Sequence, residues 1–241
     1  MSTMRLDKYL SLAGVASRTE TSKAVRGGEV LVNGVPAKKA DMQVDPDTVQ
    51  VTFKGQPVTY RQFTYILLHK PDGVVSATED GRDRTVLDLL PAEIPKANLF
   101  PCGRLDKNTL GLMLITDNGA LGHRLLAPKS HVSKEYYFRS KYPVAAEDAA
   151  RFENGLVLED GYETKPARIA LAGDGSEGVI TLVEGKYHQI KRMLEALDNK
   201  IVYLERIRFG PLSLDPTLGR GEWRYLTEEE IKSLESHGAS H

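Results

Sequence analysis

Short apolar segments separated by turn residues fill most of the chain after residue 64, and this pattern constrains the fold more than any other feature. Strands are predicted over 65–71, 134–142, 165–171, 178–184, 200–209 and 221–226. Helices are predicted over 85–90, 118–126, 145–154 and 189–197, followed by a last helix. Asp117 could cap the second of these and Thr227, with Glu230, the last. Because strands joined by turns pair mainly antiparallel, we expect a mixed, mainly antiparallel sheet with flanking helices.

The first fifty residues are organised differently, with two short helices before a hairpin. Apolar residues recur at helical spacing over 6–13. Ser17 and Glu20 form a capping-box pattern for a second helix over 18–26, and Asn33-Gly34 predicts a tight turn. Few apolar residues follow between Lys54 and Phe63. We therefore predict an α+β protein with a small domain at 4–53, a linker at 54–63 and a larger domain at 64–235.

The composition excludes several classes of protein. The 241 residues carry a formal net charge of −1, which argues against a protein that coats nucleic acid indiscriminately. The single cysteine, Cys102, excludes an intramolecular disulfide and a cysteine-based zinc site. No apolar run is long enough to span a bilayer, and the first residues lack the apolar core of a signal peptide. We expect a cytoplasmic monomer with no membrane partner.

The small domain resembles the S4-like RNA-binding domain. The resemblance rests on Arg5-Leu6-Asp7-Lys8-Tyr9-Leu10 and on the segments 16–23 and 28–34. In that family the two helices and the following turn form a basic surface that faces RNA, where lysine and arginine contact phosphates. The resemblance implies that the following residues form this surface here: Arg5, Lys8, Arg18, Lys23, Arg26, Lys38 and Lys39.

The larger domain has a candidate nucleophile in a turn-forming segment, residues 101–111. Asp106 lies two residues after Arg104 and directly before Lys107, and a carboxylate among cations stays ionised. An ionised aspartate at a cleft can act as a nucleophile, although an aspartate in a turn can equally serve as a cap. The stretch from Arg104 to Lys141 holds seven bases and three acids, a charge of 7 − 3 = +4, which favours an anionic substrate.

Several segments together resemble the pseudouridine synthases that modify ribosomal RNA. They are residues 68–73, 103–106 with Thr109 and 111–112, 114–119, 134–136 and 185–193, in the order that the family has. The resemblance is greatest to the branch that acts on single uridines of small-subunit RNA. It implies an isomerase without a cofactor, which breaks the bond from ribose to uracil N1 and rejoins the base through C5.

The same resemblance implies a role for individual residues. Asp106 matches the nucleophile, and Tyr136 matches a tyrosine that stacks on the uracil, with Tyr137 on the opposite face of its strand. Lys191 matches the basic residue that pairs with the aspartate, where many relatives have arginine; the neighbouring Arg192 is the alternative. Two more residues complete the candidate set: Arg104, which would help to displace the base, and His188, which could contact phosphate or have a packing role.

The sequence leaves three other hypotheses for the function. The same reaction could act on 23S rather than 16S ribosomal RNA, because the segments around Asp106 do not determine the target. A non-catalytic assembly factor could use both domains to bind ribosomal RNA. Hydrolysis of a glycosidic bond is disfavoured, since it would usually need two carboxylates and no second one has a clear claim near Asp106.

Overall fold

A computed structural model describes residues 3–46, 48–58, 60 and 62–237. The chain divides into two compact units, residues 1–62 and 63–241.

The front unit contains two helices and six short strands. The helices are α1 (Leu6–Leu12) and α2 (Arg18–Arg26), and the strands are β1 (Met4–Arg5), β2 (Val30–Val32), β3 (Val35–Pro36), β4 (Gln43–Val44), β5 (Val51–Phe53) and β6 (Gln56–Val58). Strands β1 and β4 form one pair, and the others form a sheet in the order β3-β2-β5-β6. The predicted capping box of Ser17 and Glu20 begins α2, and the predicted turn at Asn33-Gly34 joins β2 to β3.

The segment predicted as a linker begins with part of this sheet. Strand β6 pairs with β5 and places Val58 in the core of the front unit, against residues such as Leu6 and Leu10. The sequence pattern missed this strand because only one of its three residues is buried.

The larger unit is built around one sheet of nine strands. Its strands are β7 (Tyr65–Lys70), β8 (Phe100–Cys102), β9 (Leu110–Thr116), β10 (Lys134–Ser140), β11 (Arg168–Ala172), β12 (Glu177–Leu182), β13 (Ile201–Phe209), β14 (Leu212–Ser213) and β15 (Trp223–Tyr225). Its helices are α3 (Gly119–Leu126), α4 (Ala146–Asn154), α5 (Gln189–Glu195) and α6 (Glu228–Ser236). Two 3₁₀ turns cover Val86–Leu89, where a short helix was predicted, and Pro128–Ser130.

The sheet is mixed and mainly antiparallel, as predicted. The main order is β11-β12-β10-β13-β9-β7-β15, with β14 added to β13 and β8 to β9. Among the described pairs only β9 and β13 run parallel. Because side chains alternate along a strand, neighbouring residues of β7 and β9 enter different clusters on the two faces of the sheet. Helices α4 and α5 pack on one face, and α3 and α6 on the other.

Gly111 permits the parallel contact between β9 and β13. Its φ of +104° lies in a region that side chains rarely adopt, and a Cβ there would lie 2.3 Å from the carbonyl oxygen of Arg206. The start of β9, directly after the Asp106 loop, can therefore lie against β13.

The capping residue of α3 differs from the prediction. Asn118, not Asp117, accepts a hydrogen bond from the Leu121 amide at 3.0 Å and caps the helix. Asp117 instead accepts from the Thr64 amide at 2.7 Å, which ties the start of the unit to the end of β9. The two residues are both good caps by type, and the position of Thr64 decides between them.

Candidate active site

Asp106 lies in the loop between β8 and β9, and hydrogen bonds fix that loop on both sides of it. The Thr109 amide donates to the Asp106 carbonyl oxygen at 3.0 Å and closes the turn. The buried Ser76 hydroxyl donates to the Leu105 carbonyl oxygen at 2.9 Å and accepts from the Leu105 amide at 3.0 Å. The carboxylate of Asp106 is thus carried by a defined backbone.

The buried ammonium group of Lys70 supports the same loop. Its Nζ donates to the carbonyl oxygens of Pro71 and Lys107 at 3.0 Å and of Thr109 at 2.8 Å. Three acceptors match the three protons of an ammonium group. Burial lowers the pKa of Lys70 to about 8, against the opposing effect of nearby carboxylates that include Asp106. Lys70 therefore ties the end of β7 to the Asp106 loop.

Helix α5 supplies the cation that contacts Asp106. The Lys191 Nζ donates to Asp106 Oδ2 at 2.6 Å and to Asn108 Oδ1 at 2.7 Å. The two charged side chains are only 26% and 20% exposed, so water screens their attraction less than at an open surface. Arg192 turns away and pairs with Asp160. Of the two cations that the sequence left open, the structure brings Lys191 to Asp106.

His188 lies on the other side of the carboxylate, directly before α5. Its backbone is left-handed, with a φ of +50°, and its Nε2 lies 3.6 Å from Asp106 Oδ1. The His188 ring stacks on the Tyr187 ring at 3.8 Å between centroids, and Tyr187 is 76% exposed. A flat aromatic pair therefore stands at the mouth of the site.

Asp106 and Tyr136 line one cavity of about 80 Å³. Leu182, Ile190 and Leu204 provide apolar walls. Tyr136 is 8% exposed and belongs to the core face of β10. A carboxylate beside an aromatic ring and apolar walls suits a flat, uncharged ring such as a base. We refer to this space as the Asp106 cavity.

Tyr137, the neighbour of Tyr136, points to the opposite face of the sheet, as expected. Its hydroxyl donates to Glu177, and its ring contacts the Tyr203 ring edge-on at 5.8 Å. Tyr137 is therefore separated from the Asp106 cavity by the sheet itself.

Arg104 lines the Asp106 cavity and is exposed at its rim. Within the described ranges it has no hydrogen-bond or ion-pair partner. Its guanidinium group is therefore available to a ligand.

The predicted basic residues of the front unit are all exposed, and four of them line one groove of about 380 Å³. The four are Arg5, Arg26, Lys38 and Lys39; Lys8, Arg18 and Lys23 lie outside it. Arg5 is also held by Asp7, to which its Nε and one terminal nitrogen donate at 3.0 and 2.7 Å. The groove fits the predicted contact with phosphates, since the basic residues outnumber Asp7 and Asp41 there.

The basic stretch from 104 to 141 does not form one continuous surface. Lys107 pairs with Asp83 at 2.6 Å, and Arg124 donates to the Glu235 carbonyl oxygen at 2.8 Å. Arg139 lies over the Tyr203 ring, 4.9 Å from its centroid. Only part of the predicted positive charge therefore faces the site, because a linear count ignores which faces the strands present.

Four residues of the site region had no role assigned from the sequence. Lys70 and Ser76 hold the Asp106 loop through hydrogen bonds to its backbone. Asn108 accepts a hydrogen bond from the Lys191 ammonium group. Arg206 is buried beneath β9, where its Nε donates to the Leu112 carbonyl oxygen at 2.8 Å. A charged residue at the end of the apolar run 65–70 was the available signal for Lys70. Ser76, Asn108 and Arg206 have partners too distant along the chain to leave a signal in the sequence.

In the described part of the chain, no helix is long and apolar enough to cross a membrane. The described residues also contain no group of three or more His, Cys, Asp or Glu side chains that could hold a metal ion.

Comparison with protein families agrees with this geometry. Residues 64–196 match the family model of RNA pseudouridylate synthases, and residues 4–49 match that of the S4 domain. The two matches together define the chain as an enzyme that acts on RNA.

Relatives with similar sequences extend over nearly the whole chain. An uncharacterised RNA pseudouridine synthase of Bacillus subtilis is 48% identical over 96% of this chain and 98% of its own. Ribosomal small subunit pseudouridine synthase A of Vibrio cholerae is 42% identical over 96% and 99%. A crystal structure of a pseudouridylate synthase has a TM-score of 0.68 and 35% identity, covering 96% of this chain and 99% of that one. The chain belongs to the RNA pseudouridine synthase family and is an isomerase.

Proposed function

We propose that this enzyme converts one uridine of 16S ribosomal RNA to pseudouridine, with Asp106 as the nucleophile and no cofactor. The observation that carries the proposal is the Asp106 carboxylate, paired with Lys191 at 2.6 Å, in a cavity that Tyr136 lines. The small-subunit target is supported by the relative from Vibrio cholerae, whose name refers to the ribosomal small subunit. With ribosomal RNA as its substrate, the enzyme would act in the cytoplasm.

The ion pair divides the two oxygens of Asp106 between different tasks. Oδ2 accepts from the Lys191 ammonium group, whereas the His188 Nε2 lies 3.6 Å from Oδ1, too far for a hydrogen bond. Oδ1 is therefore the oxygen that can attack the substrate, and Lys191 aims it. The bond from ribose C1′ to uracil N1 breaks and a bond from C1′ to C5 forms, while C5 loses a proton and N1 gains one. The bond that Asp106 makes to the substrate breaks again, so the product is an isomer of uridine and no oxidant or reductant is needed.

The remaining residues hold the base and the RNA strand. Tyr136 stacks on the uracil, which must leave the RNA stack before its N1 and C5 can be reached. Arg104, free at the rim, contacts the strand from which the base is displaced, and His188 contacts a phosphate. The groove of the front unit adds phosphate contacts, which contribute affinity with little sequence information.

Mapping of pseudouridines in a strain without the protein tests the proposal. We expect one 16S pseudouridine to disappear and to return with the wild-type gene, but not with Asp106→Asn. Asp148→Asn is the matched control, since among the described residues the only ion pair of Asp148 is a surface pair with Arg151. Loss of a 23S modification with 16S intact would show the alternative target.

A normal pseudouridine map in that strain would contradict the proposed reaction. Full rescue by Asp106→Asn would instead favour the non-catalytic assembly factor, because an amide cannot act as the nucleophile.

A further inference from the structure

A second cavity, of about 200 Å³, opens beside the Asp106 cavity and has no part in the reaction described so far. Its walls are the end of α3, the start of β10, the segment 183–186 and two residues before β11; the residues that matter below are Leu126, Lys134, Tyr162, Lys165, Glu184 and Lys186. It has more than twice the volume of the Asp106 cavity, at about 80 Å³. We call it the Lys165 cavity.

The Lys165 cavity has a positive lining because three lysines and only one acidic residue, Glu184, line it. Glu184 accepts hydrogen bonds from the Tyr162 hydroxyl at 3.0 Å, the Lys165 amide at 2.9 Å and the Gln189 side chain. Three internal donors leave this carboxylate little capacity to accept hydrogen bonds from a ligand, and the three lysines outnumber its single charge.

The three lysines that line the cavity are Lys134, Lys165 and Lys186. The Lys134 Nζ already donates to the Val132 carbonyl oxygen at 2.9 Å and has two further protons for an anion. Lys165 and Lys186 are exposed, and the Lys186 Nζ lies 4.9 Å from the centroid of the Tyr162 ring. Burial lowers the pKa of Lys134 to about 8, and an anion nearby would offset this effect. The chemistry of the cavity therefore suits a phosphate group.

The same cavity has an apolar wall that phosphate alone would not use. Leu126 is 44% exposed at the end of α3, and the half-buried Tyr162 presents an aromatic ring. An aromatic ring can stack on a base while neighbouring cations bind its phosphate, and the exposed leucine adds apolar contact area. The ligand class that satisfies both is a nucleotide.

The two cavities are adjacent along the protein surface. Gly185 and Lys186 line both of them. On the other side, Leu126 approaches the position of a Cβ on Gly103 to 3.3 Å, and Gly103 precedes Arg104 of the Asp106 cavity. An RNA strand that places a uridine in the first cavity therefore has its neighbouring nucleotide close to the second.

We propose that the Lys165 cavity binds the base of a nucleotide next to the target uridine in the same RNA strand, with the phosphate between them on Lys165 and Lys186. This inference rests on the proposed function for its substrate, a uridine in single-stranded RNA. Occupation of the cavity favours a uridine whose neighbour fits. The Lys165 cavity would thus contribute to the choice of target uridine, a task that the nucleophile alone does not perform.

Binding of short ligands to the full-length protein tests this directly. The probes are uridine monophosphate, uridine dinucleotides extended on the 5′ or the 3′ side, and the same dinucleotides with an abasic neighbour. We expect one extended form to bind about tenfold more tightly than the monophosphate, from base stacking and one more charge contact. The abasic form should lose most of that gain.

Two variants test whether residues of the Lys165 cavity provide this gain in affinity. The quantity measured is the ratio of dinucleotide affinity to monophosphate affinity. Lys165→Gln and Leu126→Ser should each reduce the ratio to about threefold or less. Lys232→Gln, an exposed lysine of α6, is the matched control and should keep the full ratio. Melting curves establish that each variant is folded.

The proposal is overturned if neither dinucleotide binds better than the monophosphate, if the abasic form keeps the whole gain, or if both variants keep it. These outcomes differ from failure of the proposed function. A normal pseudouridine map in the deletion strain would refute the proposed reaction whatever the dinucleotide ratio is.

Discussion

Replacement of Gly111 by alanine would test the parallel contact that sets the Asp106 loop against β13. The substitution has two separate costs. The φ of +104° is unfavourable for any residue with a Cβ, and the added Cβ would lie 2.3 Å from one backbone atom of Arg206 and 2.6 Å from another. Backbone atoms cannot rotate away as a side chain can, so β9 must move from β13.

The two costs can be estimated separately. An unfavourable φ costs about 1–2 kcal/mol, and overpacking of a rigid site typically costs a further ~1–3 kcal/mol. We expect Gly111→Ala to lose about 3 kcal/mol of the free energy of unfolding. For a unit of this size that loss corresponds to a fall in Tm of roughly 6–12 °C.

Thermal unfolding of three alanine variants separates the two costs. Gly161 has a φ of +80° with open space around it, so Gly161→Ala should have only the conformational cost, about 1–2 kcal/mol. Gly119 begins α3 with ordinary φ and open space, so Gly119→Ala should be neutral or slightly stabilising. If Gly111→Ala and Gly161→Ala had the same Tm, the close approach of β9 and β13 would add nothing to the cost of the substitution, and our reasoning would be refuted.

Three further predictions concern titratable side chains of the larger unit. Lys191→Met should lower kcat by about 10²–10³-fold and Lys191→Arg by less, measured as tritium release from RNA labelled at uracil C5; equal losses would contradict a charge role. The Cys102 thiol, whose pKa burial raises to about 11, should resist alkylation at pH 8 until the protein unfolds, and rapid labelling of native protein would refute this. Hydrogen bonds from Thr217 and Arg224 hold the pKa of Asp215 at about 2, below its ordinary 3.8, so its contribution is complete above pH 4 and is lost as the pH falls toward 2. Urea unfolding across this range should show a smaller loss in Arg224→Met than in the wild type.

The sequence predicted the elements of the fold well where the signal is local. The capping box at Ser17 and the turn at Asn33-Gly34 each depend on neighbouring residues, and both are present. The strand within 54–63 was missed because a short edge strand has little apolar pattern of its own. The cap of α3 was assigned to Asp117 instead of Asn118 because the competing partner, Thr64, is 53 residues away.

The site shows the same division. The resemblance to a known family singled out Asp106, Tyr136 and Lys191. In the structure all three residues line one cavity. Asn108 and the buried Arg206 were not predicted, since their roles arise only when α5 and β13 pack against the Asp106 loop. Polar contacts across long separations leave no periodic signal in one sequence.

The pairing of β9 with β13 has a consequence for how the enzyme is made. Asp106 meets Lys191 across 85 residues, and the Leu112 carbonyl oxygen meets Arg206 across 94. Chains emerge from the ribosome with their N-terminus first, so the front unit can fold while the partners of Asp106 are still unsynthesised. A nascent chain can therefore present the basic groove of its front unit long before the Asp106 cavity is complete, because Lys191 and Arg206 both lie in the last third of the chain.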